Sequence, residues 1–533
     1  MRALPVRKGL LLSSGPVRLT MMERAASLIL HNADILTVDA SRPRARAVAV
    51  RGSRIIAVGS EEEVSRFEGE GARVVDCGGR AVIPGFIDAH CHLLAYAASL
   101  LSLDVSPQAV SSIADIQRAL RERASTTPPG GWIRAAGYDE TALAEKRHPT
   151  RRDLDAAAPG HPVRLIHRSG HASVLNSVAL SLAGVTVESE EPPGGCIDRD
   201  FETGEPTGLL IEMDGLLDRV APPLSDDDLA RAVAEASTRL LAQGVTSVQD
   251  ATAANGPEEW RLFRRLMEKG RLAVNVTLME GFDAMGEMPE AALDGRLRRG
   301  PVKIALKELG DEIHPDERGL AEMIWEAHRR GRQVAVHAVT ERGVAAAASA
   351  VEQALRRMPR ADHRHRIEHC SVCPPELARR LAAAGVFVVT QPSFLYFSGD
   401  RYLSQVALED QPHLYPLGRL RAAGVEVAAS SDAPVAPPAP LRSVATAVTR
   451  RSVGGRTLWP KETVDAEEAL RMHTLAGARA AFEEDVRGSL TPGKEADIVV
   501  LCADPTAVPA DEAADIAVET TIVRGEVVWR AGE

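Results

Sequence analysis

The chain has 533 residues, of which 45% are apolar and 26% charged, a balance typical of a globular protein with an extensive core. Its formal net charge of −11 argues against a nucleic-acid partner, for which a basic surface is expected. No apolar run approaches the ~18 to 20 residues that cross a bilayer, and six scattered cysteines lack the spacing of a disulfide framework. We therefore predict a reduced, cytoplasmic protein without a membrane contact, in which residues 1–24 form a disordered extension.

Both ends of the chain carry short β-strand patterns. AVAVRGSRIIAVG (47–59) and TIVRGEVVWRAG (521–532) each predict a β-hairpin that turns at an Arg-Gly pair. GSLTPGKEADIVVLCAD (488–504) predicts a further turn and strand. Strands from opposite ends of a chain can pair only if the ends meet in space. We therefore predict that 25–83 and 488–533 form one composite β-sandwich domain.

The interior alternates between β-branched runs and amphipathic stretches that end on glycine, where a helix C-cap belongs. Eight such runs occur: AVIPGFIDAH (81–90), GVTSVQD (244–250), LAVNVTLME (272–280), PVKIALKEL (301–309), RQVAVHAV (332–339), RIEHCS (366–371), VFVVTQP (386–392) and VEVAASSD (425–432). This count predicts an α/β fold, a (β/α)8 TIM-like barrel over 84–487. The stretch 93–244 is too long for one crossover and predicts an insertion or lid subdomain after the first barrel strand.

Chemically active side chains recur at the ends of these strands. His90 and His92 are two residues apart and therefore project from the same face of a strand. Four other candidates end later strands: Lys303, His337, His369 and Asp432. The carboxyl ends of barrel strands meet at one mouth, so these six side chains are expected to converge. Imidazole and carboxylate groups are ligands for zinc and similar divalent ions.

Each of these residues also has a simpler interpretation when taken alone. His337 or His369 could be a hydrogen-bonded core histidine, and Asp432 could cap the segment that follows it. Lys303 is harder to explain in this way, because burial of an unpaired ammonium is costly. Six such residues at the ends of five strands favour a common metal site.

Several motifs of the chain resemble those of a known family. PGFIDAHCH, the two later strand-end histidines, SSDAP and GSLTPGKEADIVVL resemble the metal-dependent amidohydrolase superfamily. RSGHASVLNSVAL, PTGLL, HAVTERGV, RIEHCSV and TQPSF resemble amidohydrolase family 3, which includes enzymes like N-substituted formamide deformylase. The resemblance extends from about residue 28 to residue 529 and implies hydrolysis of a non-peptide, amide-like C–N bond by a metal-activated hydroxide.

The resemblance also implies roles for individual residues. His90 and His92 match the ligands of the more buried metal, and His337 and His369 match those of a second metal. Asp432 matches a residue that is both a ligand and a proton shuttle. Lys303 matches a lysine that carries CO₂ as a carbamate bridging two ions, most commonly zinc. Lys307 and Glu308 stand where the family commonly has Asp-Gly, and the nearby Lys307 remains an alternative choice for the bridging lysine.

The substrate is expected to be a small molecule, an N-acyl or N-formyl amide. Contacts with it are predicted for four residues of the insertion and barrel loops: Tyr138, His171, Asn176 and Gln391. Three alternatives remain open at this stage: a mononuclear deaminase, an esterase or lactonase with the same centre, and an inactive binding homologue. The physiological substrate, the number and identity of the metal ions, and homo-oligomer formation are also left open.

Overall fold

The computed structural model describes residues 25–310 and 312–532 of the chain, so the predicted extension over 1–24 lies outside the described residues. The strands are β1 (Leu28–His31), β2 (Asp34–Leu36), β3 (Arg44–Ala45), β4 (Ala47–Arg51), β5 (Arg54–Gly59), β6 (Arg73–Asp76), β7 (Ala81–Pro84), β8 (Phe86–Cys91), β9 (Leu103–Asp104), β10 (Ile133–Tyr138), β11 (Val163–His167), β12 (Ala172–Leu175), β13 (Cys196–Arg199), β14 (Pro206–Ile211), β15 (Val245–Asp250), β16 (Asn275–Gly281), β17 (Ala291–Ala292), β18 (Leu297–Ile304), β19 (Lys307–Leu309), β20 (Glu312–His314), β21 (Val334–Ala338), β22 (Arg366–His369), β23 (Phe387–Thr390), β24 (Val427–Ala429), β25 (Ile498–Leu501), β26 (Val518–Val523) and β27 (Glu526–Arg530).

The α-helices are α1 (Glu61–Ser65), α2 (Leu93–Leu101), α3 (Ile113–Thr126), α4 (Arg151–Asp155), α5 (Ser177–Ala183), α6 (Asp214–Val220), α7 (Asp226–Ala242), α8 (Pro257–Glu268), α9 (Glu317–Arg329), α10 (Glu341–Arg357), α11 (Pro375–Ala383), α12 (Ser393–Gln405), α13 (Leu417–Ala423), α14 (Pro440–Thr449), α15 (Ala466–Met472) and α16 (Leu475–Ala480). In the part of the chain that the structure describes, no helix is both long and apolar enough to cross a membrane.

Eight parallel strands form a nearly closed barrel in the order β8, β15, β16, β18, β21, β22, β23 and β24. This confirms the predicted TIM-like barrel, and each predicted interior run contributes one strand. The last strand returns to the first through the segment that follows it, where Asp432 N–H donates to the His90 carbonyl at 2.8 Å. The barrel wall is aliphatic and buried, with Val302, Val336 and Ile367 in one hydrophobic cluster.

Two of the predicted runs are shorter in the barrel than the sequence indicates. AVIPGFIDAH divides at Gly85: its first half, β7, joins another sheet, and only β8 enters the barrel. A Cβ atom on Gly85 would lie 2.1 Å from Thr246 Oγ1, so the chain turns there against the second barrel strand. The predicted run PVKIALKEL also divides, because β19 leaves the barrel and pairs with β20.

The two chain ends meet, as their strand patterns predict. A six-stranded sheet has the order β27, β26, β25, β7, β2 and β3, and a four-stranded sheet has the order β5, β4, β1 and β6. Both predicted hairpins are present, as β4–β5 and β26–β27. Side chains of the two sheets share one hydrophobic cluster, to which Leu30 and Val48 contribute from one sheet and Val82 and Ile498 from the other.

The long segment after β8 contains a sheet of its own. Its six strands have the order β13, β14, β12, β11, β10 and β9, and they span residues 103–211. The segment has separate hydrophobic clusters, one of which includes Val105, Leu120 and Val163. The helices at its two ends, α2 and α7, contribute instead to a cluster shared with the barrel. The separately packed sheet therefore lies within the segment 93–244, for which an insertion or lid subdomain is predicted.

Candidate metal centre at the mouth of the barrel

Three of the predicted ligands lie close together at the carboxyl ends of the first and last barrel strands. His90 Nε2 and His92 Nε2 lie 3.4 Å and 3.3 Å from Asp432 Oδ1. One ligand atom from each residue lies within 4.8 Å of the others. His90 projects from β8, and Asp432 follows β24 with a φ of +57°, a left-handed conformation that is uncommon for aspartate. The fold thus joins residues that are more than 340 positions apart.

The other predicted strand-end histidines surround the same point. The ring of His369 lies 4.9 Å from that of His90 and 4.5 Å from that of His337, measured between centroids. His369 also has a positive φ, of +68°. A positive φ strains the backbone of a non-glycine residue, and such strain is commonly found at functional sites. The structure therefore brings all four predicted histidines to one mouth.

Lys303 lies in the barrel wall near the end of β18 and is 4% exposed. Among the described residues, no carboxylate forms an ion pair with its amine. Burial lowers the pKa of Lys303 from 10.5 to about 8, which favours the neutral amine. Lys307, the alternative lysine, points elsewhere, since its Nζ donates to the Glu212 carbonyl of the insertion at 3.0 Å.

The histidines are held so that their Nε2 atoms face the mouth. His90 Nδ1 is hydrogen-bonded to Glu368, His92 Nδ1 contacts Thr252 Oγ1 at 3.1 Å, and His369 Nδ1 contacts Gln391 Oε1 at 2.9 Å. A carboxylate or amide oxygen accepts the Nδ1 proton and leaves the Nε2 lone pair available, which is the arrangement of metal-bound histidines. Burial also lowers the pKa of His90 and of His337 well below the ordinary value, so both rings are neutral.

These groups fit a bound cation. His90 Nε2 is buried and has no hydrogen-bond partner among the described residues, although it lies next to another imidazole and a carboxylate. An unsatisfied buried acceptor costs about 1 to 3 kcal/mol, and a divalent ion that binds all three groups removes this cost. Neutral imidazoles and a carboxylate are the donors that zinc prefers.

A buried network behind His90 was not predicted from the sequence. Glu368 accepts from both His90 and Arg366, and Arg366 donates to Gln249 Oε1 at 2.6 Å and to the Ala89 carbonyl at 2.6 Å. The strand RIEH carries three ionisable side chains in a fully buried segment, and this was the available signal. Through Glu368 and Arg366, the network links the His90 ring to β22 and β15.

Three of the four predicted substrate contacts form hydrogen bonds within the protein, and their contact with a substrate stays a prediction. Asn176 is buried and caps α5: its oxygen accepts from Val163 N and Ala179 N, and its nitrogen donates to two carbonyls. The amide oxygen of Gln391 contacts His369 Nδ1, and its amide nitrogen donates to Ser430 Oγ. Tyr138 is buried in the insertion, and its hydroxyl contacts His148 Nδ1 at 3.0 Å. Each side chain is engaged within the protein.

His171 is placed differently, at the barrel mouth. Its ring lies 5.7 Å from that of His337, its side chain is half-exposed, and its Nδ1 lies 2.6 Å from Glu212 Oε1. Glu212 itself has a φ of +58°. Of the four predicted substrate contacts, His171 is therefore the one that reaches from the insertion towards the candidate metal centre. Its partner Glu212, which orients the ring, was not predicted from the sequence.

Comparisons with known proteins agree with this geometry. The model of the "Amidohydrolase family" matches residues 73–529. N-substituted formamide deformylase of Arthrobacter pascens is 32% identical over 95% of this chain and 98% of its own length. The putative amidohydrolase YtcJ of Bacillus subtilis is 28% identical over 94% and 99%. The structure of an uncharacterized metal-dependent hydrolase from Pyrococcus horikoshii superposes with a TM-score of 0.72 at 24% identity, covering 91% of this chain and 99% of that one.

Proposed function

Because this chain belongs to the amidohydrolase family of metal-dependent hydrolases that act on carbon–nitrogen bonds other than peptide bonds, we propose that its substrates are small N-acyl or N-formyl amides. The observation that carries the proposal is the mouth itself, where His90, His92 and Asp432 present ligand atoms within 4.8 Å of one another. The relative that is a formamide deformylase supports the choice of substrate class. Fold analogy carries less weight than the site.

We propose that the mouth holds two zinc ions. His90 and His92 would hold one, His337 and His369 the other, and Asp432 would complete the first. Lys303, reacting as the neutral amine with CO₂, would provide a carbamate between them. A bound divalent ion supplies Lewis-acid chemistry: it lowers the pKa of a coordinated water towards ~7 and polarises a carbonyl oxygen.

The chain's own residues perform the proton transfers. Asp432 accepts the proton of the attacking water and returns it to the departing nitrogen, so that the C–N bond breaks to give an acid and an amine. Its backbone is fixed by the bond from its N–H to the His90 carbonyl, and this holds the carboxylate beside both first-strand histidines. Glu368 keeps His90 in the tautomer whose Nε2 faces the mouth.

We infer that the insertion within 93–244 acts as a lid that selects the nitrogen substituent, and that 25–83 with 488–533 forms a β-sandwich domain. The lid assignment is supported by His171, which reaches from the insertion to within 5.7 Å of His337, measured between ring centroids. The loops above a barrel's carboxyl-terminal face commonly determine substrate choice.

The test is a substrate panel of N-formyl amides, N-acyl amides, activated esters and aminated heterocycles, with the Asp432→Asn variant as the blank. We expect amide turnover that yields stoichiometric amine and is lost in the blank. Ammonia from heterocycles without amide turnover would instead indicate a deaminase. Preference for esters over every amide would indicate an esterase.

A further inference from the structure

A second group of potential metal ligands lies in the insertion, apart from the barrel mouth. Asp139 and Glu140 directly follow β10, and His167 is the last residue of β11. The two strands are parallel neighbours, with Tyr138 paired to His167, so their carboxyl ends lie at the same edge of the sheet. One ligand atom from each of the three residues lies within 4.8 Å of the others. The spacing suits three ligands of one ion, whose bonds are about 2.0 to 2.2 Å long.

Two atoms of this group are buried without hydrogen bonds. His167 is 7% exposed, and its Nε2 lies 2.8 Å from Glu140 Oε2. The two atoms are close but not aligned, and within the described residues neither has a hydrogen-bond partner. Buried polar atoms are nearly always satisfied, so a facing pair of unsatisfied atoms requires an explanation. A cation bound by both atoms satisfies them together.

The opposite side of the His167 ring is already anchored. His167 Nδ1 contacts Ser169 Oγ at 2.8 Å, which orients the ring and leaves Nε2 towards Glu140. As at the mouth, an oxygen atom contacts Nδ1, and here the backbone N–H of Ser169 also donates to Nδ1 at 3.2 Å. The ring of His148 lies 5.8 Å from that of His167 on the same edge.

The two carboxylates of the group have different partners. Asp139 accepts from Arg168 Nη1 at 3.1 Å and from Thr141 N at 2.9 Å, and the arginine balances its charge. Glu140 has only the His167 ring as an ion-pair partner among the described residues. Glu140 is partly buried, and the imidazole is a counter-charge only when it is protonated, whereas a divalent ion supplies a permanent one.

We propose that Glu140, His167 and Asp139 bind a structural divalent cation, zinc by its donor set, that joins the ends of β10 and β11. This site is distinct from the catalytic centre, because it shares no residue with it. Its role is to hold the insertion's sheet edge together, since the ligands come from adjacent strands of that sheet.

The test uses the full chain with the mouth disabled by substitution of its proposed ligands: His90→Asn, His92→Asn, His337→Asn, His369→Asn and Asp432→Asn. After equilibration with zinc and removal of the excess, elemental analysis should give about one zinc per chain. Adding Glu140→Gln and His167→Gln should reduce this to none. The matched control carries Glu188→Gln and His161→Gln, which lie in the same insertion outside the group, and it should retain the ion.

A second measurement separates ion loss from misfolding. Zinc should raise the unfolding temperature of the mouth-disabled chain and of its control, because an ion that binds only the folded state stabilises it. It should leave the chain with the Glu140 and His167 substitutions unchanged, while circular dichroism shows that chain to be folded. Absence of zinc from the mouth-disabled chain, or its retention after the two substitutions, would overturn the proposal. Neither result depends on catalytic activity.

Discussion

The side-chain amine of Lys303 is buried in the barrel wall. The pKa of Lys303 is lowered to about 8 by burial, so near neutral pH a useful fraction of the amine can react with CO₂. We predict that Lys303→Ala loses most activity and binds less metal, because it cannot form the proposed bridging carbamate. Added short carboxylic acids should restore part of the activity. Activity and metal per chain, with and without propionate, provide the measurement.

Lys307→Ala is the matched control for this substitution. Lys307 is four residues further along and donates to the Glu212 carbonyl rather than facing the mouth histidines. We expect this variant to keep its metal and most of its activity. Full activity in Lys303→Ala would remove the carbamate from the proposal, and equal loss in both variants would show that neither lysine is specifically a bridge.

His171 approaches the mouth from the insertion, paired with Glu212 at 2.6 Å. We predict that His171→Ala changes kcat/KM by different factors for substrates with small and large nitrogen substituents, while metal content stays unchanged. The reason is that the side chain borders the substrate space without being one of the proposed ligands. Kinetics on a graded amide series, together with elemental analysis, would check this. An empty metal centre in His171→Ala would contradict the lid assignment.

At the residue scale, the sequence predicted which strand-end side chains meet because strand periodicity and barrel topology determine that outcome. It did not predict Glu368, whose contact with His90 joins positions 278 apart. It did not predict the hydrogen bonds that Asn176, Gln391 and Tyr138 form within the protein, because a polar residue in a motif does not reveal whether its hydrogen-bonding groups are already used. Only the packed neighbours decide that.

At the scale of single elements, the N-terminus of α5 shows a structural role where a substrate contact was predicted. Asn176 caps the helix by accepting from Ala179 N at 3.1 Å, and it also accepts from Val163 N of β11. We predict that Asn176→Ala lowers the free energy of unfolding by about 1 to 2 kcal/mol, as loss of a helix cap does. Relative kcat/KM values across substrates should stay constant.

Asn176→Asp is the useful companion, since a carboxylate keeps both acceptor functions but not the two donated bonds. It should be at least as destabilising as the alanine variant in thermal unfolding, because a buried carboxylate oxygen would face the Ala158 and His161 carbonyls. A change in substrate preference, at unchanged stability, would restore Asn176 as a substrate contact.

The eight barrel strands could be predicted because each is a short β-branched run followed by an amphipathic helix. Their limits could not, because the residues of AVIPGFIDAH on both sides of Gly85 are apolar although its halves belong to different sheets. The division depends on Thr246, whose side chain leaves no room for a Cβ at Gly85. The pattern of apolar residues indicates only that a segment is buried, and both β7 and β8 are buried.

At the scale of the whole molecule, a buried ionic network joins the chain-end sheets to the barrel. Arg487 pairs with Glu495 at 2.9 Å, with Glu483 at 3.2 Å and with Asp497 at 3.4 Å. It also donates to Ser247 Oγ at 2.8 Å, near the start of the second barrel strand β15. This is the amino-terminal end of the barrel, opposite the mouth, where residues commonly serve stability rather than catalysis.

We therefore predict that Arg487→Met is strongly destabilising but catalytically neutral for the molecules that remain folded. Removing one partner leaves three buried carboxylates without their shared cation, which typically costs about 3 to 5 kcal/mol. Arg451→Met is the control, because its pair with Asp511 is about half-exposed and such pairs contribute about 1 kcal/mol or less. Denaturant unfolding of both variants, with metal content and kcat per folded chain, would test this. Loss of metal from Arg487→Met at unchanged stability would contradict this prediction. It would show that the amino-terminal end of the barrel is coupled to the metal centre at the mouth.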